Sequence, residues 1–260
     1  GRKDLENLSI PFIGEIPQYL SAKKKLGFDK HTQSVMKAIV VKEGNRNIIN
    51  EAFRVLRSNI DFMAGKDSGQ NVFMLTSFNP GSGKSFLAMN IAMSFAIKKK
   101  RILVIDGDLR HGSTSSYVDS PKTGLSDYLG NRVSDWKEII VKDEKYDNLH
   151  IIPIGTVPPN PTELLEDGKL ATLIEVLRSE IVADAQIIEK LADRTVFVVR
   201  SGLLDRSMLP ELENIYQEKR FKNLSVILNG TESAGGRYGY RYGYRNGYSS
   251  YYGNKGKMGG

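Results

Sequence analysis

The clearest chemistry in the chain sits in seven residues, Asn79-Pro80-Gly81-Ser82-Gly83-Lys84-Ser85. Gly81 and Gly83 permit a backbone curl in which successive N–H groups converge on phosphate oxygens. Lys84 has the reach and charge for β- and γ-phosphates, and Ser85 brings a hydroxyl of the kind that ligates Mg²⁺. An apolar run over 72–76 precedes the turn. A helical pattern over 85–99, with Phe86 as its first apolar residue, follows it. A glycine turn between strand and helix also aims the free N–H groups and positive end of the helix at the same anion. The strict pattern G-x-x-x-x-G-K-[ST] asks for glycine at position 78, where Phe78 stands. The bland alternative is a glycine turn opening a helix, with Lys84 in solvent.

A second cluster closes the next apolar run. Ile102-Leu103-Val104-Ile105 leads into Asp106-Gly107-Asp108-Leu109-Arg110. Two carboxylates at the end of a strand beside a phosphate turn are suited to hold Mg²⁺, through water or directly, or to accept the proton of an attacking hydroxyl. Arg110 can offset charge on a transferred phosphoryl group. Alone, aspartates after a strand are commonplace surface carboxylates. Asn229, which closes the last apolar run, is placed either to touch a nucleotide base or to cap its strand.

The elements that must carry these residues follow from hydrophobic patterning. Apolar runs over 72–76, 102–106, 150–154, 195–200 and 224–229 alternate with helical patterns over 85–99, 169–180, 183–192 and 205–219. Runs without strict alternation, separated by helices, predict an α/β fold with a doubly wound, mostly parallel sheet and ligands at the carboxyl ends of its strands. Residues 45–63 predict a further helix, with Ile49, Phe53, Leu56 and Ile60 on one face. Residues 1–42, with Pro11, Pro17 and the basic run Lys23-Lys24-Lys25, read as an N-terminal arm, 43–232 as one phosphate-loop domain and 233–260 as a flexible tail. The tail holds Tyr238, Tyr240, Tyr242, Tyr244, Tyr248, Tyr251 and Tyr252 among Gly and Arg, with no aliphatic residue from 237 to 252 to seat in a core.

Bulk composition narrows the classes. The 260 residues include no cysteine and 3 histidines, which excludes disulfides and thiolate metal sites and argues against a zinc enzyme. No window approaches the roughly 18 unbroken apolar residues of a membrane helix. A net charge of +7 favours anionic partners without choosing among them.

With these motifs in place, the chain resembles the bacterial tyrosine kinases, the capsule and exopolysaccharide chain-length regulators. Thr76 to Ser85, Phe78 included, is similar to the family's phosphate loop. Asp106, Asp108 and Arg110 match its D-x-D-x-R motif. Gly124-Leu125-Ser126-Asp127-Tyr128-Leu129 and the segment from Gly155 to Leu165 also resemble family segments. The resemblance runs from about Leu8 to Asn229.

It implies a phosphate-loop fold akin to the septum-placement and partition ATPases, with ATP and Mg²⁺ as cofactors. Asn79 to Phe86 and Asn229 would contact the nucleotide. Ser85, Asp106 and Asp108 would attend the metal, and Lys84, Asp106, Asp108 and Arg110 the transfer, with Asp106 preferred over Asp108 as the base.

Glu51, Arg54 and Arg57 are similar to the family's E-x-x-R-x-x-R helix, which implies a ring of identical subunits. The alternative for these three is a solvated row of ion pairs. The tail tyrosines resemble the cluster that such kinases phosphorylate on a neighbouring subunit. The resemblance further implies a membrane-anchored activator region or protein and a place at the cytoplasmic side of a bacterial inner membrane, with no nucleic-acid partner.

One family element is absent: a strand ending in D-x-P-P, expected between Glu180 and Ile181. Its loss would remove a central strand and a metal-site carboxylate, and Asp184, which resembles a position downstream of that motif, is no substitute. Two other readings compete. A partition-type ATPase switch would carry a lysine where Asn79 stands and would lack the tyrosine tail. A nucleic-acid binder would use the tail's aromatics and Arg237, Arg241 and Arg245.

Overall fold

The computed structural model describes residues 1–19, 38–64, 72–181 and 192–232. The basic run at Lys23–Lys25, the helix expected over 183–192 up to its last residue, Asp184 and the seven tail tyrosines lie outside them.

Parallel strands form the centre, as the patterning predicts. β1 (Phe12–Pro17), β7 (Leu224–Thr231), β6 (Arg194–Arg200) and β2 (Phe73–Thr76) make one sheet in that order, parallel throughout. β3 (Ile102–Ile105), β5 (Leu149–Ile152) and the short β4 (Val141–Lys142) make a second, in which only β4 runs antiparallel.

Both faces are covered, which is why the strands read as continuous apolar runs. On one face α2 (Ile48–Ala64) and α3 (Lys84–Ala96) bury Phe53, Leu56, Leu87 and Met93 against Ile13, Val104, Val196 and Ile227. On the other, α1 (Arg2–Glu6) and α7 (Leu209–Gln217) meet Phe197, Val199, Val226 and Leu228. α4 (Leu125–Leu129) and α6 (Lys169–Ile181) join Leu109, Ile152 and Ile154 in a third cluster, with α5 (Pro161–Glu166) beside them.

Residues 12–17, expected within an arm, instead supply the edge strand β1. The reason is burial: Ile13 and Ile16 enter the core and Gly14 lies against Leu56. The chain then returns at 38–42, held by two buried asparagines. Asn90 Oδ1 accepts the N–H groups of Val40 and Val41, and Asn50 Oδ1 accepts that of Lys42.

Among the described residues the two sheets do not join: β2 pairs only with β6 and β3 only with β5, although α3 packs over both β2 and β3. The break falls between the strand that feeds the glycine turn and the strand that feeds the aspartates. α6 then runs to Ile181, and the next described strand is β6. At the foot of β6, Asp193 ties these parts together. Its carboxylate meets Arg178 of α6 at 2.9 Å and accepts the N–H of Val72 at 2.9 Å.

Candidate active site

The glycine turn leaves β2 and enters α3 with its carbonyls held from outside. Gly81 and Gly83 adopt φ of +75° and +92°, a region other residues enter at a cost. Gly83 has a second reason to lack a side chain: a Cβ there would lie 2.3 Å from Nδ2 of Asn229. The Asn79 carbonyl accepts from both the Ser77 and Ser82 hydroxyls, which knits the turn to itself. Asn229 Nδ2 donates to the Ser82 carbonyl at 2.9 Å. Arg200 Nη1 donates to the Gly81 carbonyl at 3.1 Å.

Lys84 opens α3 and donates to Ser77 Oγ at 2.9 Å, so its ammonium folds back over the turn. Ser85 and Phe86 follow in the first helical turn, Phe86 buried against Phe53. Pro80, the last residue before the curl, is exposed. Phe78, the departure from the strict pattern, packs edge-on against Phe197 of β6 with ring centroids 4.8 Å apart. It anchors the start of the turn to the core, a job glycine could not do.

Asp106 and Asp108 differ sharply. The Asp106 residue is only 3% exposed. One oxygen accepts from the backbone N–H and the hydroxyl of Ser115, both at 2.8 Å, and the other from the Asp108 N–H at 3.3 Å. Desolvation pushes its pKa up from the ordinary aspartate value, the Ser115 bonds oppose that, and the Asp108 charge adds a smaller upward push. The Asp108 side chain is 42% exposed and lies 3.2 Å from the His111 ring. The sequence reading placed Asp106 first as base. Burial and three hydrogen bonds hold Asp106 in place at the end of β3, and Asp108 is the carboxylate offered to solvent. Arg110 is exposed and reaches Thr162 Oγ1 at 3.5 Å.

Ser115 was missed in the sequence, where nothing marks it among neighbouring serines. Its hydroxyl accepts the Ile154 N–H at 2.8 Å while donating to Asp106, so it links β3 to the loop after β5. The two segments noted only for resemblance meet there. The Asp127 carboxylate accepts the N–H groups of Gly124 and Thr156, and a Cβ on Gly124 would strike the Gly155 backbone at 2.3 Å.

The turn and the aspartates therefore belong to different sheets, bridged by α3, and no described hydrogen bond or ion pair joins them. Among the described residues no group of three or more His, Asp or Glu side chains gathers where a metal could sit.

On α2, Glu51 and Arg54 form an exposed 2.7 Å ion pair. Arg57 turns away from them. Its guanidinium donates to the Ser94 carbonyl and hydroxyl on α3, and partial burial lowers its pKa. The three charges are thus not one solvent-facing row.

No protein-family model matches the chain. It is 31% identical over 221 residues to tyrosine-protein kinase CpsD of Streptococcus pneumoniae, covering 80% of this chain and 92% of that protein. It is 31% identical over 210 residues to tyrosine-protein kinase YwqD of Bacillus subtilis, covering 75% of this chain and 87% of that one. The chain belongs to the bacterial tyrosine kinase family.

Its backbone matches the kinase domain of the Escherichia coli tyrosine kinase ETK with a TM-score of 0.73 and 26% identity, covering 94% and 99% of the two chains. It spans 27% and 33% of the longer relatives from Ralstonia solanacearum and Klebsiella pneumoniae.

Proposed function

We propose that the chain is an ATP-dependent protein-tyrosine kinase that phosphorylates the tyrosines of its own carboxyl-terminal tail on a neighbouring subunit, and so regulates capsule or exopolysaccharide synthesis. The observation that carries this is the glycine turn. Its consecutive carbonyls at 81 and 82 are held outward beside the start of α3, the arrangement that leaves N–H groups for a triphosphate. Family membership then selects phosphoryl transfer to tyrosine over a partition-type switch.

In this reading the amides of 81–85 and the Lys84 ammonium hold the β- and γ-phosphates. The tyrosine oxygen bonds to the γ-phosphorus as the bond to the β–γ bridging oxygen breaks, and ADP leaves. The tyrosine proton, held with a pKa of about 10 in free tyrosine, passes to Asp108, while Asp106 fixes the end of β3. Arg110 offsets charge on the moving phosphoryl group.

Mg²⁺ would be held by the Ser85 hydroxyl, with Asp108 reaching it through a bound water and so left free to take the tyrosine proton. Phosphate oxygens and water would complete its shell, since this ion commonly keeps several waters. When bound it would neutralise β- and γ-oxygen charge.

Residues 1–232 serve as the catalytic body and 233–260 as the substrate tail. Subunits assemble through α2, which exposes Glu51 and Arg54 and, about two to three turns further on, Phe62, itself 85% exposed. An activator region or protein anchored in the membrane completes the assembly, with this body on the cytoplasmic side. No described helix is long and apolar enough to cross a membrane.

The test is incubation of the full chain with Mg-ATP and mapping of phosphate by mass spectrometry. Phosphate on Tyr238–Tyr252 that disappears in Lys84→Met is the expected result. ADP release without phosphotyrosine would overturn the kinase in favour of the switch.

A further inference from the structure

The two donors outside the glycine turn come from adjacent strands at the same level. Arg200 and Asn229 are register partners at the carboxyl ends of β6 and β7. One holds the Gly81 carbonyl and the other the next carbonyl, Ser82. A trans peptide unit points its C=O and N–H in opposite directions. Fixing the carbonyls of 81 and 82 toward the strands therefore turns the N–H groups of Ser82 and Gly83 the other way.

Asn229 is buried, and its amide fills the space that a Gly83 side chain would need. Arg200 is partly exposed, and the Gly81 carbonyl is its one hydrogen-bond acceptor among the described residues. The Arg200 stem lies against Gly230: a Cβ there would sit 3.8 Å from its Cγ and Nε, an ordinary contact.

We propose that Arg200 and Asn229 are positioning residues that set the turn in its phosphate-accepting form before any nucleotide arrives. The inference rests on reading the turn as a triphosphate cradle, and assigns neither residue a contact with the nucleotide. A turn built on two positive-φ glycines has other conformations open to it. Apparent affinity falls in proportion to the fraction that is binding-competent. A brace that keeps this fraction near one, against about a tenth without it, is worth about tenfold in affinity. The gain is the same for ATP and ADP, because both place a β-phosphate in the turn.

The experiment is calorimetric titration of the full chain with Mg-ATP and Mg-ADP, beside steady-state kinetics and thermal unfolding without nucleotide. Arg200→Ala is expected to weaken both nucleotides about tenfold by a common factor. KM for ATP should rise with kcat unchanged, and the unfolding midpoint should move little. Arg200→Lys keeps a donor of similar reach and should recover most of the loss. Asn229→Asp keeps the shape but replaces the donor with an acceptor, and should weaken both nucleotides at least as much. Wild-type affinity in Arg200→Ala would overturn the proposal. So would a loss confined to ATP, which would make Arg200 a γ-phosphate contact. A wild-type chain that takes up neither nucleotide would remove the cradle reading itself, a result distinct from either.

Discussion

Gly83 shows how narrow the tolerance of the turn is. Its φ of +92° and its 2.3 Å approach to Asn229 mean that Gly83→Ala must both strain the backbone and displace the amide that holds Ser82. Nucleotide affinity should fall at least tenfold while the far-ultraviolet circular dichroism stays unchanged, and titration calorimetry would read this.

Asp106 makes a prediction of opposite character. Its pKa is raised on folding, so the unfolded chain loses this proton first as pH increases. Ionisation of Asp106 therefore opposes folding from near pH 4 up through its raised pKa. The unfolding midpoint of Asp106→Asn, relative to wild type, should climb as pH increases across that window. A difference that stayed flat or fell would count against the burial described above.

Much at this scale was legible. Gly81, Gly83, Lys84 and Ser85 announce themselves by type and spacing. That Asp106 is buried and Asp108 open to solvent was not recoverable, because two carboxylates two residues apart look alike until Ser115 closes over one of them. Asn229 was marked by its place at a strand end but not its hold on Ser82, and Arg200 carries no local signal, since what both do depends on a loop more than a hundred residues earlier.

Among the elements, α3 and its neighbours were readable because a helix or buried strand advertises its period. β1 was not. Pro11, Gly14 and Pro17 argue against a strand, and only at a sheet edge, with Gly14 packed on Leu56, do they become acceptable.

Phe78 illustrates an element using a residue that a motif would forbid. Phe78→Gly would restore the strict loop pattern yet remove the ring contact with Phe197. It should cost about 2–4 kcal/mol in chemical denaturation, with nucleotide binding weakened less than in Gly83→Ala. The break between β2 and β3 yields a further expectation. Among the described residues β2 and β3 leave two parallel edges under α3, where the fold class would have a continuous sheet. Insertion of a short apolar strand and turn between Glu180 and Ile181 should raise the unfolding midpoint on the order of 5–10 °C by pairing both edges. A lower midpoint would show that the two sheets are complete as they stand.

At the scale of the whole molecule, the described body presents α2 as its most conspicuous unfinished surface. Phe62 stands out of it, and Glu51 and Arg54 are exposed about two to three turns earlier, while Arg57 is spent on holding α2 to α3. The double change Arg54→Ala and Phe62→Asp should give monomers by light scattering and weak tail phosphorylation. Arg57→Ala should lower the unfolding midpoint first. An unchanged particle mass in the double variant would rule this face out as the ring contact. Phosphorylation adds about −1.5 to −2 charges per tyrosine, enough in number to reverse the sign of the basic tail and loosen subunits it links.

The pairing of β1 with β7 also decides when the protein can finish folding. Phe12 meets Val226 and Ile16 meets Asn229, so β1 gains its partner only after more than 200 further residues have been made. At typical elongation speeds of about 5–20 residues per second, that wait is on the order of 10–40 seconds. Throughout it, Ile13 and Ile16 have no sheet to join, and the nascent chain must be shielded from its neighbours on the polysome. A chain released before residue 224 would never gain that shelter.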